Sequence, residues 1–388
     1  MTVCQEGIIT LIKSAVNKRK YCLPEGFSLT EALGTIEKHN IFTLAYYGAV
    51  NCGYDKATNE MQYLFARMCA QLSVDTRQQA EFTAVFDAFE ADGIDYMPLK
   101  GMILKSLYPD TAMRAMGDAD FLVKSSQAEL ASKKLKELGY KYSHENDHES
   151  VWLKDIFVID LHKALMSKKT KDFYIHFENV WGNAKCIDGK HRCEMRAEDF
   201  YLFTFTHFTK HYITSGIGLK HMTDLWVLRS ANELDSEYVG RELKKLKLFE
   251  FHTNVVKTLE VWFGTAKASE VTDFITTVIF ESGEFGVREK SKIGALLREE
   301  NEEVSVKKIK RRKFLSVVFL PMSYMREKYK VLQKLPVLLP VMWVVRLFDV
   351  VFNKRKALKN FVQRQSDTSK EKIEAYRNDL RFVGLKKE

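Results

Sequence analysis

Tyr96-Met97-Pro98-Leu99-Lys100-Gly101 and Arg114-Ala115-Met116-Gly117-Asp118-Ala119-Asp120-Phe121-Leu122-Val123 are the two pieces of sequence whose reading decides the fold. Residues 94–99 are short, apolar-rich and introduced by Asp92-Gly93, the signature of a strand. Lys100-Gly101 turns the chain into a helix over residues 102–107, which Tyr108-Pro109-Asp110 stops. Gly117 then leads through Asp118-Ala119-Asp120 into a second strand at 121–123. Side chains two apart on a strand share a face, so Asp118 and Asp120 present two carboxylates side by side. Crowded carboxylates repel, and a cation relieves them; hard oxygen ligands suit Mg²⁺ or Mn²⁺. Surface turns produce many isolated Asp-x-Asp pairs. Here the weight comes from the order strand, glycine turn, helix, arginine, then Gly-Asp-x-Asp entering a strand. A glycine turn ahead of a helix also offers backbone N–H groups to a phosphate. Lys100, Gly101, Arg114 and Gly117 are therefore the candidates for nucleotide phosphate contacts.

Downstream, residues 127–138 read as a helix ended by Gly139, and two further strands are expected near 151–153 and 157–161. Asp160 lies in the apolar run Val158-Ile159-Asp160-Leu161-His162. A carboxylate there costs stability unless it is paired or liganded, or unless the strand is an edge facing solvent. As a third carboxylate it would complete a metal site with Asp118 and Asp120, with His162 two residues on along the same face. The whole is an α+β core, a small mixed sheet with helices packed on it.

Around this core the chain reads as helical. Residues 1–90 show apolar spacings of three and four, with Ser28 and Thr30 ahead of an acidic first turn. The core spans 91–196, a helical domain 197–300, and a basic, aromatic helical region 301–388. Asp188-Gly189 between Cys186 and Cys193 signals a hairpin, which disfavours reading those cysteines and His191 as a zinc site that lacks a fourth ligand. Helices are then expected over 198–212, 220–229 and 238–262.

Apolar residues make up 46% and charged residues 29% of the 388, which suits a folded chain and excludes a disordered one. The net charge of +9 fits an acidic partner such as a nucleotide, a nucleic acid or an anionic membrane, but surplus surface lysine explains it equally. The six cysteines form no framework and no secretory segment opens the chain, so reduced thiols in the cytoplasm are expected. The apolar run at 335–345 is too short to span a bilayer, which needs roughly 20 residues, and Pro336 and Pro340 argue against one long helix there. The basic cluster at 306–313 and the apolar stretches after it fit either packed helices or weak peripheral contact with an anionic membrane.

Lys-Gly, Arg-x-x-Gly-Asp-x-Asp and the later apolar-Asp-Leu-His strand together resemble a bacterial nucleotidyltransferase-like family, with uncharacterised members, of the DNA-polymerase-β superfamily. The likeness runs from about Phe82 to Arg346. It implies that Asp118 and Asp120 are metal ligands, that Asp160 is the third carboxylate, and that Lys100-Gly101 stands where the superfamily has Gly-Gly or Gly-Ser. It further implies an NTP substrate and an acceptor left open among small molecules, peptides, proteins and RNA. His207, Lys210, His211, Lys220 and Asp224 are cleft candidates on the next two helices, with Asp224 read either as an acceptor base or as a salt-bridged helix residue. Phe208 stands where a zinc protease has its Glu, which excludes that chemistry. The rival reading is an inactive nucleotidyltransferase fold used for binding or assembly.

Overall fold

The computed structural model describes residues 1–214, 216–283, 319–320, 322, 325–326, 329–353 and 370–385. They divide into two compact units, Met1–Val287 with Phe382–Glu388, and Arg288–Arg381.

In the first unit, helices α1 (Val3–Asn17), α2 (Leu29–Lys38), α3 (Phe42–Cys52) and α4 (Asn59–Ala91) come first. Ser28 caps α2 by accepting the Glu31 N–H, as its position before an acidic turn predicts. On α4 the buried residues Met61, Leu64, Met68, Asp75, Gln78, Phe82, Val85 and Phe89 recur at three and four, giving one inward stripe along 33 residues.

The sheet follows. Its strands are β1 (Tyr96–Pro98), β2 (Asp118–Val123), β3 (Lys141–Glu145), β4 (Glu149–Lys154) and β5 (Phe157–His162), arranged in the order β1-β2-β5-β4-β3. Only β2 and β5 run parallel; the other pairs are antiparallel. Between them lie α5 (Gly101–Lys105) and α6 (Ala128–Glu137). The α+β class expected from sequence holds.

The two faces of the sheet differ. Ala119, Phe121, Val123, Trp152, Phe157, Ile159 and Leu161 are buried in one cluster with Phe82, Val85 and Phe89 of α4 and Ala131 and Leu135 of α6. A fully buried Phe such as Phe121 contributes about 1.5–3 kcal/mol to holding this face down. Alternation therefore sends Asp118, Asp120, Asp160 and His162 to the opposite face.

Several elements differ from the sequence expectation. β3 was not anticipated, because every one of its residues is exposed. The hairpin β6 (Lys185–Cys186) and β7 (Cys193–Glu194) forms as expected. Its two cysteines are joined as a disulfide, which corrects the expectation of six reduced thiols. The short helices α7 (Lys171–Phe177) and α8 (Val180–Asn183) precede it. Then come α9 (Ala197–Thr214) and α10 (Leu219–Ala231), near their expected bounds. The single helix expected at 238–262 is two, α11 (Ser236–Lys245) and α12 (Phe249–Trp262), broken where Lys247 takes a left-handed φ of 58°. α13 (Glu270–Ser282) closes the first series.

In the second unit, α14 (Val331–Lys334), α15 (Leu339–Asn353) and α16 (Lys370–Phe382) are described, α16 ending one residue into the first unit. Pro340 does not break α15: it occupies the first turn, where the missing N–H has no helical partner to lose. The basic cluster at 306–313 lies outside the described residues. Among the described residues no helix is long and apolar enough to cross a membrane.

Candidate active site

Register assembles the site. β2 and β5 pair in parallel with Asp120 directly opposite Asp160, and with Asp118 one pleat before it on the same face. Asp118 is exposed at the open end of β2, Asp120 is 6% exposed, and Asp160 is half-buried. Like charges directly opposite on neighbouring strands destabilise a sheet, so this pairing needs compensation.

Part of it comes from within the chain. Lys100 Nζ donates to Asp120 Oδ1 at 2.8 Å, and His162 Nε2 lies 2.9 Å from the same oxygen. Among the described residues no hydrogen bond falls on Asp120 Oδ2. Burial pushes the Asp120 carboxyl up, but the Lys100 ammonium and the His162 bond outweigh it and hold the group well below the usual carboxylate range. Among the described residues Asp160 has no such hydrogen-bond partner. Burial, then the charges of Asp120, Asp118 and Glu149, push its carboxyl up to about 7.

The turn before α5 explains the Lys-Gly pair. Lys100 takes φ 39°, a left-handed conformation that costs a residue with a side chain about 1 kcal/mol or more. At Gly101 a Cβ would come within 2.6 Å of Arg114 Nη1 and 2.9 Å of Met116 Sδ. The glycine lets β1 and the approach to β2 close on each other. That approach is tied to α4, where Gln78 Nε2 donates to the Met116 carbonyl at 3.0 Å and Asp75 pairs with Lys105. Gly117 is exposed and meets nothing that a Cβ would touch.

Arg114 is buried and turned towards α10. Its Nε and Nη2 donate to Asp224 Oδ1 and Oδ2 at 3.1 and 3.0 Å, and the Tyr108 hydroxyl donates to Oδ1 at 2.8 Å. Lys220 Nζ lies 3.5 Å from the Ala115 carbonyl. From α9, Phe203 packs with its ring centroid 5.9 Å from Lys100 Nζ. His207 and His211 face each other with Nε2 atoms 3.1 Å apart. Burial, then the Lys100 charge, holds His207 well below the usual imidazole range. The charge of Lys210 is felt at His148.

The structure thus brings Asp118, Asp120, Asp160, His162 and Lys100 together, and lays α9 and α10 beside them. Two residues beyond the sequence reading join them. Antiparallel register places Glu149 of β4 opposite His162, and His148 precedes it. Their signal in the sequence is slight, a His-Glu pair entering a strand. Asp120, Asp160 and His162, and separately His148, Glu149 and His162, each gather three donor atoms close enough to hold a metal ion. Three carboxylates on one face are hard oxygen donors of the kind that Mg²⁺ and Mn²⁺ take.

A family model described as "Uncharacterised nucleotidyltransferase" matches residues 26–264. No curated protein and no solved structure matches the chain.

Proposed function

The chain belongs to this uncharacterised nucleotidyltransferase family, and from that premise we propose that it moves a nucleoside monophosphate from an NTP to an acceptor, with release of pyrophosphate. The observation that carries the reading is the register of β2 and β5, which sets Asp118, Asp120 and Asp160 on one face. These residues would hold Mg²⁺ or Mn²⁺, in the manner of the polymerase-β superfamily. Bound there, the ions neutralise charge that develops on the triphosphate during transfer.

The rest falls to the chain's own side chains. Lys100 holds Asp120 and stands beside the space for the phosphates, ready to exchange one anion for the other. Gly101 keeps the turn open to backbone approach. Arg114, locked on Asp224, is a positioning residue that fixes the segment leading into β2. Asp160 faces the acceptor: as the acceptor oxygen bonds to the α-phosphorus and the bond to the β-phosphate breaks, Asp160 takes up the acceptor proton. His207, Lys210, His211 and Lys220 border the cleft in which acceptor and nucleotide meet.

Each α-labelled NTP, incubated with the protein, Mn²⁺ and a fractionated cell extract, should label one acceptor fraction. Asp118→Asn should remove that label. Labelling that persists in the variant would overturn the assignment. The cytoplasm is the proposed compartment. A weak membrane contact through the C-terminal region is proposed with it, resting on the exposed Val337, Val341, Val344 and Val345. Salt-sensitive co-sedimentation with phosphatidylglycerol vesicles is the expected result; no binding at low salt would remove it.

A further inference from the structure

Beside the carboxylate row lies a cluster that the nucleotidyl reading leaves unused. His148, Glu149 and His162 each offer a donor atom, and the three atoms lie within 4.8 Å of one another. His148 Nε2 and His162 Nδ1 stand 3.3 and 3.4 Å from the same oxygen, Glu149 Oε2. Ligand atoms around a tetrahedral zinc, at bond lengths of about 2.0–2.1 Å, are separated by about 3.3–3.4 Å. Two of the three donor separations already match those of a coordinated set.

Its supporting contacts agree. His162 Nε2 lies 2.9 Å from Asp120 Oδ1, so an Nε2–H donates to that carboxylate. Nδ1 is then the ring nitrogen that faces Glu149. His162 is 2% exposed, and that Nδ1 is buried with no hydrogen-bond partner among the described residues. His148 repeats the pattern, with Nδ1 3.3 Å from Asp147 Oδ1. Asp147 is itself fixed by the Ser167 hydroxyl and the Lys168 N–H. A carboxylate on the outer nitrogen is what sets the tautomer of a metal-binding histidine. The other Glu149 oxygen accepts from Asn146 Nδ2 at 2.8 Å, which keeps Oε2 on the histidines. Two ring nitrogens gathered on one carboxylate oxygen are a donor set that a transition-metal cation can bridge.

We infer that His148, Glu149 and His162 form a site for a first-row transition ion of the zinc class, separate from the Mg²⁺ position on the three aspartates. Two imidazoles and one carboxylate select such an ion over Mg²⁺, which prefers oxygen. Three protein ligands leave the fourth corner of the tetrahedron to water. Asp120 is shared: it would be a ligand on one side and the anchor of His162 on the other, so filling the nitrogen site would stiffen the carboxylate that the nucleotidyl reading needs. Otherwise the inference stands without that reading.

The test is titration of the full chain with Co²⁺ in excess Mg²⁺, followed by visible absorption. The expected result is an intense tetrahedral band that saturates at one ion per chain, is bleached by Zn²⁺, and is kept by Asp118→Asn. His148→Ala and Glu149→Gln should each weaken Co²⁺ binding by more than the roughly 10–100-fold that loss of an outer-shell partner costs. Circular dichroism checks their folding, and the near-isosteric Glu149→Gln decides if His148→Ala does not fold. Absence of the band in the unaltered chain, an unchanged Co²⁺ affinity in Glu149→Gln, or loss of the band in Asp118→Asn would each overturn the inference. In those cases His162 bridges Asp120 and Glu149 with protons on both nitrogens, or the ion sits on the aspartates. NTP turnover is a separate readout, and its failure would leave the band in place.

Discussion

Asp120 and Asp224 are both buried aspartates of the first unit, yet their surroundings differ in kind. Asp224 faces one guanidinium, held in two bonds, and one phenol that donates to it. Charge and hydrogen bonding balance there, and the group behaves as a bolt between α10 and the segment before β2. Asp120 shares its face with Asp118, Asp160 and Glu149, against Lys100 and His162. The same fold that satisfies one buried carboxylate completely leaves a surplus of negative charge around the other. Removing one partner of a buried pair commonly costs about 3–5 kcal/mol, and uptake of a proton by Asp160 or of a cation relieves such a surplus. The balanced cluster supplies shape. The unbalanced one is the cluster that the proposed function gives to a cation.

The largest expected effect follows from breaking the unbalanced side. Asp118→Asn and Asp120→Asn should each lower Mg²⁺-dependent turnover by at least about a thousandfold, roughly 4 kcal/mol of barrier. From sequence the two aspartates look equivalent; the structure separates them in stability. Asp118 is exposed and crowded by like charge, so Asp118→Asn should leave the melting temperature of the metal-free protein unchanged or raised. Asp120 is the acceptor for Lys100 and His162, so Asp120→Asn should destabilise by about 2–3 kcal/mol. Equal melting temperatures for the two variants would show that Asp120 is not the hub described here.

Breaking the balanced side should cost stability first. Asp224→Ala leaves Arg114 buried without its carboxylate and should lower the unfolding free energy by about 3–5 kcal/mol in urea titration. The double variant Arg114→Met, Asp224→Leu should recover most of that loss, because no uncompensated charge remains. If Asp224→Asn keeps its stability but loses turnover, the residue is an acceptor base and the comparison with Asp120 collapses.

How far the sequence carries this contrast depends on the kind of signal. Asp118 and Asp120 are legible because an Asp-x-Asp entering a strand fixes their common face. Asp160 is legible because it interrupts apolar residues, and the parallel register then sets it opposite Asp120. Local sequence cannot show pairing partners. Lys100 reads as a turn residue, and only the fold turns its ammonium onto Asp120. Arg114 and Asp224 are 110 residues apart, and nothing near either announces the other. Glu149 and His148 are missed for the same reason, since they reach His162 through strand register alone. β3 is missed because its residues, Lys141-Tyr142-Ser143-His144-Glu145, are all exposed and are held by pairing with β4. The break between α11 and α12 escapes because a lysine, not a glycine, takes the left-handed position.

The smallest expected effect concerns Asp160, whose carboxyl stands at about 7 against an ordinary value of 3.8. A raised carboxyl means that the folded chain binds the proton more tightly than the unfolded one. The stabilisation is therefore full below pH 4 and is lost as the pH rises through about 7. For a half-exposed group the change should be small, about 1 kcal/mol after screening by water. Asp118 and Asp120 on β2, Glu149 on β4 and His162 all act on this carboxyl, so the informative quantity is the difference between unaltered chain and Asp160→Asn. In EDTA, the variant should gain on the unaltered protein between pH 5 and pH 8, as read by melting temperature. Saturating Mg²⁺ should reverse the order at pH 8, because the ion favours the carboxylate that the variant lacks. Parallel melting curves across that range, with and without Mg²⁺, would place Asp160 among the compensated aspartates, and the surplus charge would then rest on Asp118 and Glu149 alone.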